Sequence, residues 1–316
     1  MHRYILRRSA MLVLTLFGIS IVIFVLVRVI PGDTIDMIIG TQLVSDEQRA
    51  ALQTYYGLDK PIYVQYWYWL TSALHGNMGY SVRGGRPVMS DILSRLPVTA
   101  ELAIIGVLLG TVIGIPTGII SAVKLNSNWD WCARIFGLLG MSVPRFWLGT
   151  LLILIVSKYL RWLPSGGHFV GFFSDPLKHL EQILLPTLTL GVTLAASVMR
   201  MTRSSMLDVL RQEYIRTARS KGLHERIVLV RHCLKNAFLP VITVVGIQIG
   251  YLLGGTVIVE HIFSLPGLGR LVVYAIYQRD YAVTQGALLF MAFAFAVTNL
   301  VVDVVYATID PRIRYQ

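Results

Sequence analysis

From Leu102 to Val123 the chain runs for 22 residues without a charged side chain. A helix needs about 20 apolar residues to cross the roughly 30 Å hydrocarbon core of a bilayer. Inside that core every backbone N–H and C=O must find its partner within the protein. Met11 to Val27, Ile135 to Ser157, Ile183 to Met199, Ala237 to Val259 and Tyr281 to Val302 meet or approach the same length. The chain is therefore read as all-α and polytopic, one membrane domain over 1–316 with six spans near 9–30, 101–123, 135–157, 183–203, 237–259 and 281–305. Pro144 and Arg145 interrupt the third span and leave its start open. The whole chain is 55% hydrophobic and 14% charged. A soluble domain carries about 25% charged residues, and disordered chains are poor in apolar and aromatic residues, so both classes are excluded.

Charge sets the expected orientation. With the N-terminus inside, segments 1–8, 124–134, 200–236 and 308–316 hold 16 basic and 5 acidic residues. Segments 31–98, 158–182 and 260–280 hold 10 of each, so the net excess of 11 falls on one side. Cytoplasmic loops carry an excess of Lys and Arg, which places both termini in the cytoplasm and removes any need for a nucleic-acid partner. Arg3, Arg7 and Arg8 before an apolar run resemble the start of a signal peptide. The run is too long for that, and Arg28-Val29-Ile30-Pro31 has no small-residue cleavage site.

Two loops are large. Segment 31–98 is external and carries Tyr55, Tyr56, Tyr63, Tyr66, Trp67, Tyr68 and Trp69. These aromatics fit a helix anchored at headgroup depth, or a surface for a ligand or an external partner. Segment 204–236 is cytoplasmic and basic. Glycine recurs every fourth residue at Gly106, Gly110, Gly114 and Gly118, and again at Gly246, Gly250 and Gly254. Such stripes let helix backbones approach closely in lipid, either within the subunit or against a second membrane subunit or transport path. Pro116 and Pro186 each remove a backbone donor and are read as kinks.

Motifs for chemistry are missing. There is no GxxxxGK[ST] loop, Val228 stands where HExxH needs its second histidine, and Gly140-Met141-Ser142 lacks the closing glycine of a nucleophile elbow. Cys132 and Cys233 form no metal or redox pattern. Glu101 and Asp303 lie at the ends of spans, and neither Gln248 nor Asn299 titrates. A self-sufficient carrier needs a charge at the midplane or an inverted repeat, and the sequence shows neither. A membrane scaffold is the third reading.

The segment Glu213 to Gly222, EYIRTARSKG, reads as a short helix with a glycine stop. Together with Leu223 and Asn236-Ala237-Phe238-Leu239-Pro240 it resembles the EAA-type loop of ATP-binding cassette importer permeases, in the form of the dipeptide, oligopeptide and nickel branch. Arg28-Val29-Ile30-Pro31-Gly32-Asp33, Tyr56-Gly57-Leu58-Asp59-Lys60-Pro61, Arg95-Leu96-Pro97-Val98-Thr99-Ala100-Glu101-Leu102 and Leu163-Pro164-Ser165-Gly166-Gly167 agree with it. So do Gly254-Gly255-Thr256-Val257-Ile258-Val259-Glu260 and Ile262-Phe263-Ser264-Leu265-Pro266-Gly267-Leu268-Gly269. Arg216 stands where the general consensus has Glu, and Gly76-Asn77-Met78-Gly79 replaces GDLG.

The resemblance, to the first or B-type permease of the branch, implies a type I importer fold and a non-enzymatic transport subunit in a bacterial or archaeal cytoplasmic membrane. It implies a second homologous permease, two ABC ATPase subunits that use ATP and Mg, and an extracytoplasmic solute-binding protein. No cofactor is implied for this chain. Glu213, Arg216, Thr217, Ala218, Gly222 and Leu223 then form the coupling helix that docks on an ATPase, with Ala218 and Gly222 small where the groove is close. Thr189, Thr243, Gln248 and Thr256 are expected to line the pathway. Peptides lead as solute, with nickel, glutathione and oligosaccharides as alternatives.

Overall fold

The computed structural model describes residues 2–29, 45, 47–48, 54 and 59–309. Among them the only extended pairing is an isolated bridge between Tyr80 and Pro87. The order is α1 (His2–Val29), α2 (Ile62–Leu74), α3 (Val88–Val123), α4 (Asn128–Ser142), α5 (Arg145–Leu152), α6 (Pro176–Leu210), α7 (Glu213–Ser220), α8 (Lys235–Ile262), α9 (Leu268–Tyr277) and α10 (Tyr281–Ile309). A π-helical segment, Ile153–Tyr159, prolongs α5, and a second, Val228–Leu234, leads into α8. Positions 30–33 and 55–58 of the family motifs, with Tyr55 and Tyr56, lie outside the described residues.

Helices α1, α3, α6 and α10, and the helical stretch Glu225–Leu252 that runs through the second π segment into α8, are long and apolar enough to cross a membrane. The third expected span, 135–157, differs: it begins earlier, at Asn128, and is a bent pair, α4 and α5, turned by 105°. The cause is local. Pro144 has no N–H to continue the ladder and pushes its predecessor into extended backbone, and Val143 takes ψ 121°. Pro116 and Pro186 instead lie inside the continuous helices α3 and α6.

The centre of the bundle is the α3–α6 seam, built on the glycine stripe. A methyl group at Gly110 would lie 2.5 Å from Leu194, and one at Gly106 would lie 3.2 Å from Leu190. At Gly114 and Gly118 it would meet the backbone carbonyls of Ala195 and Met199, at 2.8 and 2.7 Å. The stripe thus packs within this chain. Gly246 and Gly250 fit against Val302 and Asn299 of α10 in the same way, whereas a methyl built at Gly254 would meet nothing within 4 Å.

Polar clasps close both ends of the bundle. Asp130 is fully buried. It accepts hydrogen bonds from Ser121 at 2.6 Å and from Arg203 Nε at 2.8 Å, joining the ends of α3, α4 and α6. At the opposite end the buried Glu260 carboxylate accepts from Thr99 at 2.7 Å and from the Arg270 N–H at 3.0 Å. A carboxylate under the first turn of α9 meets the positive end of that helix. Outside this core, Tyr66 and Trp69 of α2 pack on Phe24 of α1, and the Tyr66 and Ser20 hydroxyls lie 2.8 Å apart. Tyr63, Trp67 and Tyr68 stay exposed.

Because backbone atoms cannot withdraw from a new side chain, Gly118→Leu should cost about 1–3 kcal/mol or more through overpacking. It should lower the thermal midpoint of the purified protein in detergent, while Gly254→Ala should leave it unchanged.

Candidate functional site

Helix α7 is short and anchored on one side only. Ile215 and Ala218, three residues apart and so on one face, are buried. They enter a cluster with Ala122 of α3, Met206 of α6, Val228 and Cys233 of the second π segment, and Ala237 of α8. Glu213, Tyr214, Arg216, Thr217, Arg219 and Ser220 are exposed. The residues expected to form a coupling helix therefore separate into two sets. Glu213, Arg216 and Thr217 face outward, whereas Ala218 faces the body of its own chain. The small side chain at 218 serves the close approach of α7 to its own bundle.

Gly222 also has a local reason. Its φ is +75°, a left-handed conformation, and nothing lies within 4 Å of a methyl built there. The Gly222 N–H donates to Arg219 O at 2.9 Å and the Leu223 N–H to Ala218 O at 3.4 Å. This is a Schellman cap, which favours glycine because it has no Cβ. Leu223 follows it, exposed.

Two contacts fix the loop around the helix. Arg219 grips Glu225 with bonds of 2.6 and 3.1 Å, and the Arg219 guanidinium holds the Glu225 carboxyl below its ordinary pKa. Asn236 Nδ2 donates to the Tyr214 hydroxyl at 2.8 Å, tying α7 to the first turn of α8. Beneath α7 the Cys233 thiol lies 3.5 Å from Met206 Sδ.

The residues expected along a pathway do not form one surface. Thr189 and Thr256 are fully buried. Thr189 and Thr243 donate to their own helix, to Leu185 O at 2.8 Å and Leu239 O at 3.0 Å. Gln248 is half-buried. Beside it, Ile247, Tyr251, Gly254 and Ile258 form an exposed face of α8. Sequence reasoning missed the polar pairs that hold the ends, including Asp130 with Arg203, Asp280 with Ser81 at 2.6 Å, and Glu101 with His179 at 2.6 Å.

A helix seated on the bundle by one face, between two long membrane helices, is the arrangement whose relatives decide its meaning. The family described as "Binding-protein-dependent transport system inner membrane component" matches residues 114–315, and its N-terminal companion matches residues 1–103. The chain belongs to this family. It is 39% identical to the dipeptide transport system permease protein DppB of Escherichia coli K12 and 41% identical to the glutathione transport system permease protein GsiC of the same strain, over all of each chain. Among solved structures, the MetNI methionine ABC transporter in an inward-facing conformation aligns with a TM-score of 0.58 at 17% identity, over 70% of this chain and 97% of that one. An amino acid ABC transporter with histidines aligns at 0.54 and 15%, over 71% and 94%. These likenesses show the type I importer permease fold. The chain is thus a multi-pass inner-membrane permease of the dipeptide and oligopeptide group, a transport subunit rather than an enzyme.

The seat of α7 has a chemical readout. Maleimide should modify the exposed Cys132 and spare the buried Cys233 in the native protein. Ile215→Ala removes a fully buried side chain, at a cost of about 2–5 kcal/mol, and should make Cys233 reactive.

Proposed function

We propose that this permease forms half of an ATP-driven translocation pathway for di- or oligopeptides, in the cytoplasmic membrane of a bacterium or archaeon. The peptide assignment is supported by similarity, over the full length of both chains, to permeases named for dipeptide and glutathione transport. Nickel or oligosaccharides would use the same machinery. Both termini and α7 face the cytoplasm, a placement supported by the excess of 11 basic residues on that side and the positive-inside rule.

The observation that carries the mechanism is the division of α7 into a buried seat and an exposed outer face. Glu213, Arg216 and Thr217 present polar groups outward, which suits docking in a groove of an ABC ATPase. Ile215 and Ala218 bind the helix to α3, α6 and α8, so a push on the outer face moves the spans. ATP and Mg belong to the partner ATPases. Their closure brings two coupling helices together, and the permease pair rocks between inward-facing and outward-facing states. The uncovered α8 face around Gly254 suits contact with the second permease, which has its own coupling helix. An external binding protein delivers the solute.

Capture of this subunit from native membranes in mild detergent tests the assembly. A second six-span permease, ATPase subunits and vanadate-sensitive ATP hydrolysis should accompany it. A homo-oligomer without an ATPase, under conditions where a known importer stays intact, would overturn the reading. Within the assembled complex, Gly222→Val forces a β-branched residue into the left-handed region, at about 1–3 kcal/mol. It should leave membrane insertion intact and ATP hydrolysis present while dipeptide uptake falls, and uptake at the wild-type rate would contradict the coupling role.

A further inference from the structure

Arg145 is the one charged residue between Ile135 and Ser157, and the structure shows where it sits. Helix α4 climbs along α6: Asp130 bonds Arg203, Gly137 packs on Met199, and Gly140 packs on Ala196 and Val192. Beyond the break, Gly149 packs on Thr189. Arg145 falls between the last two levels, near the middle of the uncharged stretch 183–199 of α6. The sequence reading found no midplane charge because the start of the third span was open, and with it the depth of the break. The ladder of contacts corrects that reading.

Three arginines at the ends of the bundle are engaged. Arg203 bonds Asp130, Arg28 bonds Gln65 at 2.9 Å, and Arg8 pairs with Asp303 at 3.1 Å. Among the described residues the Arg145 side chain has no hydrogen bond, ion pair or ring contact. It stands half-buried at the first turn of α5, beside exposed Met141, Ser142, Phe146, Trp147 and Thr150. A guanidinium at this depth is costly against lipid, and such groups almost always face a protein partner or a water-filled path. The positive end of the α5 dipole lies at the same point and adds to the attraction for an anion.

We propose that Arg145 binds the carboxylate of the transported solute midway along the translocation pathway. Every peptide with a free C-terminus carries this group, and stripping its water is the main barrier to carrying it through a bilayer. A guanidinium already held at mid-depth without an internal counter-ion matches a carboxylate with two parallel hydrogen bonds. Being a single contact, it holds the solute weakly enough to release it, as conduction demands. The assignment rests on the peptide reading above.

The test uses the complete transporter in proteoliposomes with its binding protein, and radiolabelled dialanine as the probe. Arg145→Gln should lower uptake roughly tenfold or more, the scale of one lost charged hydrogen-bond pair, and Arg145→Lys should recover part of it. Binding-protein-stimulated ATP hydrolysis and the thermal midpoint of the solute-free complex should stay at wild-type values in both. In a Cys132→Ser background, Arg145→Cys should regain uptake after reaction with a positively charged methanethiosulfonate and not with a negatively charged one. Wild-type uptake by Arg145→Gln would overturn the proposal. So would a parallel loss of assembly or thermal stability without solute, which would mark a permanent ion pair with the second permease. If the wild-type complex itself fails to import dialanine, the peptide reading has failed and the carboxylate assignment falls with it, an outcome distinguishable from either variant result.

Discussion

The close approach of α3 to α6 along a stripe where α3 carries no side chains is the constraint on which the other contacts depend. Lipid tails are as apolar as leucine, so helices in a bilayer gain little from hydrophobic burial against each other and associate through close packing. At Gly114 and Gly118 the neighbours include the backbone carbonyls of Ala195 and Met199 beside the side chains of Val198 and Thr202, so the main chain of α6 takes part in setting the spacing. Helix α6 then acts as the spine of the subunit. One face takes α3, and Gly137 and Gly140 bring α4 onto it as well. Its Arg203 end carries both the Asp130 clasp and Met206, which lies in the seat of α7.

That arrangement explains how a helix of eight residues stays folded in place. Alone it would not be stable in water, since isolated helices shorter than about 12–15 residues are marginal. Ile215 and Ala218 hold it, the Gly222 cap ends it, and Arg219 with Glu225 folds the following loop back against it. The exposed Arg219–Glu225 pair adds little energy by itself, and its use is to set the path of the chain. The second π segment begins directly after and contributes Val228 and Cys233 to the same cluster. The route from the outer face of α7 to α8 is therefore continuous packed structure.

Much of this was legible in the sequence. Uncharged runs gave the crossing helices, the four-residue glycine repeat marked a close helix seam, and EYIRTARSKG marked a short helix with a glycine stop. The repeat left open what the stripe packs against, because spacing reports a helix face and says nothing about the occupant. The same limit applied to Ala218, whose small size fits either a groove on a partner or its own bundle. The clasps were invisible for a different reason. Thr99 and Glu260 are 161 positions apart, and Asp130 and Arg203 are 73 apart, and no periodicity links such pairs. Thr189 and Thr243 looked like pathway residues by composition, yet each spends its hydroxyl on its own helix.

The proposed coupling requires α7 to move as a rigid part of its own permease. Spin labels at Ser220→Cys and Trp129→Cys, both exposed positions, in a Cys132→Ser background, measure this directly by electron–electron double resonance in the assembled transporter. The distance between the two labels within one permease should be the same in the nucleotide-free state and after trapping with ATP and vanadate, while the distance between the Ser220→Cys label and an equivalent label on the second permease shortens. A change in the distance within the permease, comparable with that between the two coupling helices, would show α7 sliding on its seat and contradict the account.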